Sequence, residues 1–166
     1  MVSAELISLH FDYTSWATAR LLAAARELTQ EELTRDFGSA DKSVLGTLAH
    51  IFAADRVWLD RIEGRARATF SDSSDQDLAL LQREWPVLYQ RWKVWAEKLT
   101  DASLNQICSY NDYKGRPHQT PLWQIGLHVV NHATHHRGQV SGFLRALGKV
   151  PPPLDLILYY REKPRA

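Results

Sequence analysis

The 166-residue sequence has very little cysteine and no long apolar run. Its single cysteine, Cys108, cannot form an intramolecular disulfide, so the cysteine content does not indicate an oxidising compartment. The N-terminal segment lacks the basic residues and apolar stretch of a signal peptide. No apolar stretch approaches the ~20 residues that a membrane-spanning helix requires. We therefore expect a soluble, cytoplasmic protein that does not act at a membrane.

The sequence also lacks an excess of charge of either sign. Twenty Lys and Arg residues face 19 Asp and Glu residues, which leaves a formal net charge of +1. A nucleic-acid-binding domain normally carries a basic excess or a basic stripe. We interpret the local group Arg61, Arg65 and Arg67 as a solvated helix end, and we expect no nucleic-acid partner. The composition, 45% hydrophobic and 23% charged, is that of one globular domain spanning residues 1–166.

Four segments carry helical periodicity, at about 3–28, 43–64, 74–99 and 120–148. Ser43 is a good N-cap for the second segment, and Gly64 is a good stop. Thr120 as N-cap and Pro121 at the first helical position predict the start of the fourth helix. Pro86 predicts either a kink in the third helix or a later start. The pattern predicts an all-α four-helix bundle.

The segments between and after these helices have different compositions. TQEELT predicts a short helical turn, and SDSSDQD predicts a polar linker that supplies caps for the third helix. The β-branched and aromatic residues around NDYKG predict a loose hairpin, which makes the connection before the fourth helix long. After the fourth helix, PPP precedes LDLILYYRE, a short apolar segment that we expect to pack against the bundle.

Four of the seven histidines lie within nine residues, 128–136. Because an α-helix turns by about 100° per residue, His136 and His132 lie at about −40° and −80° from Leu122 on the apolar face, whereas His128 and His135 lie on the flank. His132 and His136 are four residues apart, so their imidazoles can share one ion. A pair of His128 and His132, nearer the edge of the bundle, is an alternative. A solvated or hydrogen-bonded histidine cluster without metal is another.

A stable metal site needs a third protein ligand. The candidates elsewhere are His10, His50 and His118. His50 flanks the apolar stripe of the second helix, where a neighbouring helix would pack. His10 is expected on the surface or at an interface of the first helix, and His118 in the loop before the fourth.

Asp55 lies in the middle of the apolar stripe of the second helix. A buried carboxylate needs a partner, because an unpaired charge in the core is costly. Arg137 borders the core on the fourth helix, so we predict an Asp55–Arg137 pair between helices. The alternative is that Asp55 binds the metal or another partner.

The segments LAHIFAADRVWLDRI, VVNHATHHRGQVSGFLRALG and PPPLDLILYYRE resemble the DinB family of DinB- and YfiT-like metalloenzymes. This resemblance covers nearly the whole chain. It implies an up-up-down-down four-helix bundle with a long crossover, and a divalent metal held by His50, His132 and His136. One departure is Thr18, which follows the W-A pair where the family often has asparagine, and it weakens the case for a polar contact from the first helix. The resemblance also implies a homodimer.

A zinc or nickel ion held by three histidines keeps coordination positions open for water or substrate, as in catalytic sites. The resemblance therefore implies a metal-dependent enzyme acting on a small molecule, by hydrolysis or by transfer to a low-molecular-weight thiol. A non-catalytic metal-bound module, in stress response or binding, is the alternative. Gln139 is a candidate to orient a ligand through a hydrogen bond. We expect either an entrance to the site or a place in the core for Tyr110, Tyr113 and Trp123. We expect either a dimer interface or a place in the core for Trp85, Trp92 and Trp95.

Overall fold

The computed structural model describes residues 2–65 and 76–163. Within these residues six α-helices, one 3-10 turn and one two-stranded hairpin are present. In chain order they are α1 (Ala4–Arg26), α2 (Gln30–Thr34), α3 (Val44–Ile62), α4 (Leu78–Ala96), the 3-10 turn (Ser103–Asn105), β1 (Ile107–Asn111), β2 (Pro117–Pro121), α5 (Leu122–Ala146) and α6 (Leu156–Glu162). The predicted four-helix bundle is confirmed, and it consists of α1, α3, α4 and α5. Arg67 and Ser74, which entered two of the sequence predictions, lie outside the described residues.

The four long helices form a square. α1 packs against α4 and α5, and α3 packs against the same two helices, so α1 and α3 occupy opposite corners. α1 and α4 run antiparallel, because Phe11 stacks on Trp92 whereas Thr18, further along α1, contacts Tyr89, which comes earlier in α4. The corner shared by α3 and α5 is the one that carries the histidines.

α3 and α4 run parallel to each other. Phe52 packs edge-on against Trp85 near the middle of both helices, and Asp60 pairs with Arg91 at 2.9 Å further along both. Parallel helices that follow each other in the chain cannot be joined by a short turn. The long crossover therefore falls between α3 and α4, rather than before α5.

α3 and α5 run antiparallel. His50, early in α3, contacts His136 late in α5, and Trp58, late in α3, contacts His128 early in α5. With α5 parallel to α1, the helix directions are up-down-down-up. This order differs from the up-up-down-down arrangement that the resemblance implied.

Side-chain capping explains the start of α3 and α4. Ser43 accepts a hydrogen bond from the backbone N–H of Gly46 at 3.0 Å, as predicted for the N-cap of α3. Asp77 caps α4 through the N–H of Ala79 at 2.9 Å. The prediction for α5 is wrong by one residue, because the N-cap is Pro121 and not Thr120. Thr120 pairs with Cys108 in the hairpin ladder, so the strand passes directly into the helix.

The predicted hairpin is confirmed, with β1 antiparallel to β2. Asp112 closes it, because its Oδ1 accepts from the backbone N–H of Lys114 and Arg116 at 2.8 and 3.0 Å. Gly115 adopts a φ of +77°, a conformation that favours glycine. The hairpin ends at Pro121, directly before the first residue of α5, so it fixes where that helix begins.

The C-terminal apolar segment packs on the bundle as predicted. Tyr13 of α1 donates a hydrogen bond to the carbonyl of Leu154 at 2.8 Å, and its ring contacts Tyr159 of α6. Trp85 and Trp92 are fully buried in the core of this chain, so their surfaces are not available to a second copy. No helix in the described ranges has both the length and the apolar character needed to span a bilayer.

The loop before α3 lies unusually close to that helix. A Cβ placed on Gly46 would stand 2.1 Å from the carbonyl oxygen of Asp41. The same oxygen accepts a hydrogen bond from the backbone N–H of Ser43 at 2.7 Å, and Lys42 between them has a φ of +63°. Only glycine at position 46 leaves room for this turn.

We predict that Gly46→Ala destabilises the protein by about 1–3 kcal/mol, the usual cost of overpacking. The added methyl group meets backbone, which cannot rotate away as a side chain can. Chemical denaturation measures the change. Gly142→Ala is the matched control, because nothing lies within 4 Å of its added Cβ and alanine favours the helix. Equal stability of the Gly46 variant and wild type would contradict the close approach.

Candidate metal centre

His50, His132 and His136 meet at the contact between α3 and α5. One ring nitrogen from each residue lies within 4.8 Å of the other two. The Nε2 atoms of His50 and His132 are 3.0 Å apart, and the ring of His136 lies 4.5 Å from each of the other rings. The structure therefore brings together the three residues that the sequence and the resemblance selected.

Local structure explains this convergence. His132 and His136 are one turn apart on α5, so their rings leave the helix on the same side. His50 lies in the second turn of α3, and the antiparallel packing places that turn opposite the second half of α5. All three rings are partly buried.

Two side chains contact the outer nitrogens of these rings. Asp41 places Oδ1 at 3.4 Å from Nδ1 of His50 and Oδ2 at 3.8 Å from Nδ1 of His136. Gln139 places Oε1 at 2.7 Å from Nδ1 of His136. An amide oxygen only accepts, so this contact suits the tautomer of His136 that carries its proton on Nδ1 and leaves the Nε2 lone pair for an ion. The predicted orienting contact of Gln139 is confirmed.

Asp41 was not predicted from the sequence. It lies in an irregular loop, where no periodicity indicates which way a side chain points. The one usable signal was its place two residues before the Ser43 N-cap of the helix that carries His50. The close approach of this loop to Gly46 is what brings the carboxylate to the rings.

The other histidines lie outside the group. His128 and His135 are exposed on α5, and their rings lie 5.7 Å from His132 and 4.9 Å from His136, respectively. His118 is exposed on β2, with Nε2 at 3.3 Å from Oδ2 of Asp112. The flank positions predicted for His128 and His135 are confirmed.

The aromatic residues considered for an entrance take three different places. Tyr110 packs edge-on against Trp58. Tyr113 is 79% exposed in the hairpin turn. Trp123 lines a pocket of about 360 Å³ together with Asp101.

The environment favours the neutral form of His132 and His50. Burial, together with the neighbouring imidazoles of His136 and His50, lowers the pKa of His132 to about 3. Burial also lowers the pKa of His50, although the charge of Asp41 opposes this shift. Neutral imidazole, not imidazolium, is the form that binds metal ions.

The donor set fits a divalent ion such as zinc or nickel. Nitrogen ligands at ~2.0–2.1 Å from one ion stand roughly 2.9–3.4 Å from each other. The 3.0 Å between Nε2 of His50 and Nε2 of His132 falls in that range. Nδ1 of His132 is buried and has no hydrogen-bond partner among the described residues, whereas the Nδ1 atoms of His50 and His136 face Asp41 and Gln139, respectively.

Comparison with known proteins gives one consistent result. The sequence profile of the DinB family matches residues 1–165. Protein DinB of Bacillus subtilis (strain 168) is 25% identical over 157 residues, which is 90% of each chain. The crystal structure of a DinB-like protein from Bacillus cereus ATCC 10987 superposes with a TM-score of 0.62 at 25% identity, over 91% of this chain and 97% of that one.

Asp55 is fully buried, but its partners differ from the prediction. Its Oδ2 accepts hydrogen bonds from Nε1 of Trp85 at 3.2 Å and from the hydroxyl of Tyr89 at 3.0 Å. Thr18 contacts the same hydroxyl at 3.0 Å, so the first helix does make a polar contact in the core. Burial raises the pKa of Asp55 to about 7, although these hydrogen bonds oppose the shift.

The predicted direct pair of Asp55 with Arg137 is wrong. In the part of the chain that is described, the Arg137 guanidinium has no carboxylate within 4.0 Å. Its Nη2 donates a hydrogen bond to Oγ1 of Thr134 at 2.8 Å, and the guanidinium lies 5.2 Å from the ring of Tyr13. Its charge still acts on Asp55 and lowers the pKa of that carboxyl. The tryptophan and tyrosine of α4 reach the carboxylate instead.

We predict that Asp55→Asn makes the protein less sensitive to rising pH. The folded-state pKa of about 7 exceeds the unfolded value of about 3.9, so the folded state holds the proton more tightly between these values. The free energy of unfolding of wild type therefore falls, relative to the variant, as pH rises from about 4 to about 7, by ~1.4 kcal/mol for each unit of pKa difference. Urea denaturation of both proteins across this range measures the difference between their free energies of unfolding. The contributions of the histidines cancel in this difference, because both proteins contain them. Parallel curves would contradict the raised pKa.

Proposed function

Because the chain belongs to the DinB family and brings three imidazoles together, we propose that it binds one divalent metal ion through His50, His132 and His136. The observation that carries this proposal is the approach of the three ring nitrogens to within 4.8 Å. Zinc and nickel are the ions we propose, because both suit imidazole ligands.

The residues around the rings support the same assignment. Gln139 contacts Nδ1 of His136, and Asp41 contacts the outer nitrogens of His50 and His136. Such outer contacts are typical of metal-bound histidines, whose second ring nitrogen faces a carboxylate or another acceptor. A structural histidine cluster has no need of this arrangement.

We further propose that the bound metal serves an enzyme acting on a small molecule. A metal held by three neutral imidazoles has open positions, where it can polarise a carbonyl, acidify water or bind a thiolate. Hydrolysis and transfer to a low-molecular-weight thiol are the two reactions we propose. A soluble cytoplasmic homodimer, with one DinB-like domain over residues 1–166, completes the proposal.

A non-catalytic metal-bound module is the second candidate, and one observation favours it. Asp41, the carboxylate in contact with the cluster, touches the Nδ1 atoms on the outer side of the rings. There it orients ligands, but it does not face the position of a substrate. A screen for thiol transfer and ester hydrolysis separates the two candidates. Metal-dependent turnover that is lost in His136→Ala supports the enzyme, and no turnover across the panel supports the module.

We predict about one equivalent of bound zinc or nickel in protein purified without a histidine tag, and loss of binding in His132→Ala or His136→Ala. Removing one of three ligands leaves too few for a stable site. Elemental analysis and titration calorimetry measure the stoichiometry and affinity. His135→Ala, which removes an exposed neighbouring imidazole, is the matched control. Wild type holding less than ~0.2 equivalents, with no uptake on adding either metal, would contradict the site.

We predict that Asp41→Asn weakens metal binding by about 10–100-fold while the fold is retained, because an amide orients the imidazoles less strongly than a carboxylate. Competition with a chromophoric chelator measures the affinity, and the melting temperature of the metal-free protein checks the fold. Asp12→Asn is the control, because it removes the same charge on the exposed side of α1. Unchanged affinity in the Asp41 variant would show that this carboxylate has no role at the site.

A further inference from the structure

Arg61 occupies an unusual position in the last turn of α3. Its guanidinium lies 4.6 Å from the ring of Trp58 and 4.6 Å from the ring of Tyr110. Its Nη2 donates a hydrogen bond to the backbone carbonyl of Asn111 at 3.2 Å. Two aromatic rings and the hairpin therefore hold this side chain in one place, where it is partly buried.

Arg61 makes no direct ion pair with a carboxylate among the described residues. Within residues 2–65 and 76–163 it has no acidic group within 4.0 Å, whereas Arg91 pairs with Asp60 and Glu63. Burial lowers the pKa of Arg61, although the more distant charge of Asp112 opposes this shift. A partly buried cation without a carboxylate in direct contact costs free energy that a bound anion would recover.

Space for an anion lies beside this guanidinium. A pocket of about 320 Å³ is lined by Arg61 and Arg65 together with Ser109 and Asn111 of the hairpin. Its size is at the lower end for small-molecule sites. A planar guanidinium with several N–H donors matches a carboxylate or phosphate, to which it can make two parallel hydrogen bonds.

Aromatic contacts connect this pocket with the candidate metal centre. Trp58 contacts Arg61 on one side and His128 on the other, with ring centroids of Trp58 and His128 5.2 Å apart. The ring of His128 lies 5.7 Å from that of His132. A line of side chains in contact, from Arg61 through Trp58 and His128 to His132, therefore joins the arginine pocket to the three histidines.

We propose that the Arg61 pocket binds the anionic group, a carboxylate in the first instance, of the small molecule whose other end reaches the three-histidine site. Binding of the anion rests on Arg61, with Arg65 as a second donor, and does not require the metal site. The assignment to one shared molecule rests on the metal-binding function proposed above. The substrate class is thus an elongated, negatively charged small molecule.

The pocket is tested first in protein without added metal, so that the result does not depend on the metal site. Succinate and inorganic phosphate are titrated while NMR follows the indole N–H of Trp58, with neutral succinamide as the probe control. We expect saturable shifts with an anion in wild type, and at least about tenfold weaker binding in Arg61→Gln, the loss typical of a charge-assisted contact. Stronger binding of phosphate than succinate would assign a phosphate ester or similar anion in place of a carboxylate.

Two further variants keep this test decisive. Arg83→Gln makes the same charge change on an exposed residue that pairs with Glu84, and it should bind as wild type does. Arg65→Gln removes an exposed donor of the pocket and gives a second measurement if Arg61→Gln folds poorly, with weaker binding expected. Equal binding by wild type and both pocket variants, or equal shifts with succinamide, would overturn the proposal.

The link to the metal centre is tested in cobalt-loaded protein with mercaptocarboxylates of increasing chain length and their amides. Thiolate binding gives a cobalt absorption band that reports occupancy. We expect tighter binding of the carboxylate than of the amide at one chain length, and loss of this preference in Arg61→Gln. No preference at any length, with cobalt bound normally, would overturn the shared-molecule assignment, whereas failure to bind cobalt would count against the metal site itself.

Discussion

The antiparallel packing of α3 against α5 is the constraint on which the rest of the site depends. It sets the second turn of α3 opposite the second half of α5, and this brings His50 to His132 and His136. The same contact places Trp58 against His128, so a line of side chains in contact runs from the histidines to Arg61. A shift of α3 by one turn would move His50 about 5.4 Å and would separate the three nitrogens.

A second layer of contacts holds the imidazoles once the helices have met. Gln139 acts within α5, whereas Asp41 acts from the loop before α3 and touches rings from both helices. That loop can lie so close only because residue 46 is glycine. A backbone requirement at Gly46 thus has a chemical consequence at His50 and His136. The buried Asp55 is held separately, by Trp85 and Tyr89 of α4.

The parts of this account that the sequence could predict are those that depend on helical periodicity. Spacing on one helix face selected His132 and His136, capping residues predicted the start of α3, and Gln139 followed from being one turn from a ligand. The contacts that failed or were missed depend on which helices are neighbours. Asp55 was paired with Arg137 because both border the core, but periodicity cannot show that α4 lies nearer. Helix directions were also taken from resemblance, and Asp41 lies in a loop without a repeating pattern.

The central claim is that one divalent ion binds to three imidazole nitrogens at the contact between α3 and α5. X-ray absorption spectroscopy of the zinc- or nickel-loaded protein tests it most directly. The account predicts a first shell at the short distance of nitrogen ligands, ~2.0–2.1 Å for zinc, with outer-shell scattering from three imidazole rings. His50→Ala should lose this spectrum together with the stoichiometric metal, because two ligands are too few for a stable site. A first shell without imidazole scattering, or an unchanged spectrum in His50→Ala, would contradict the account.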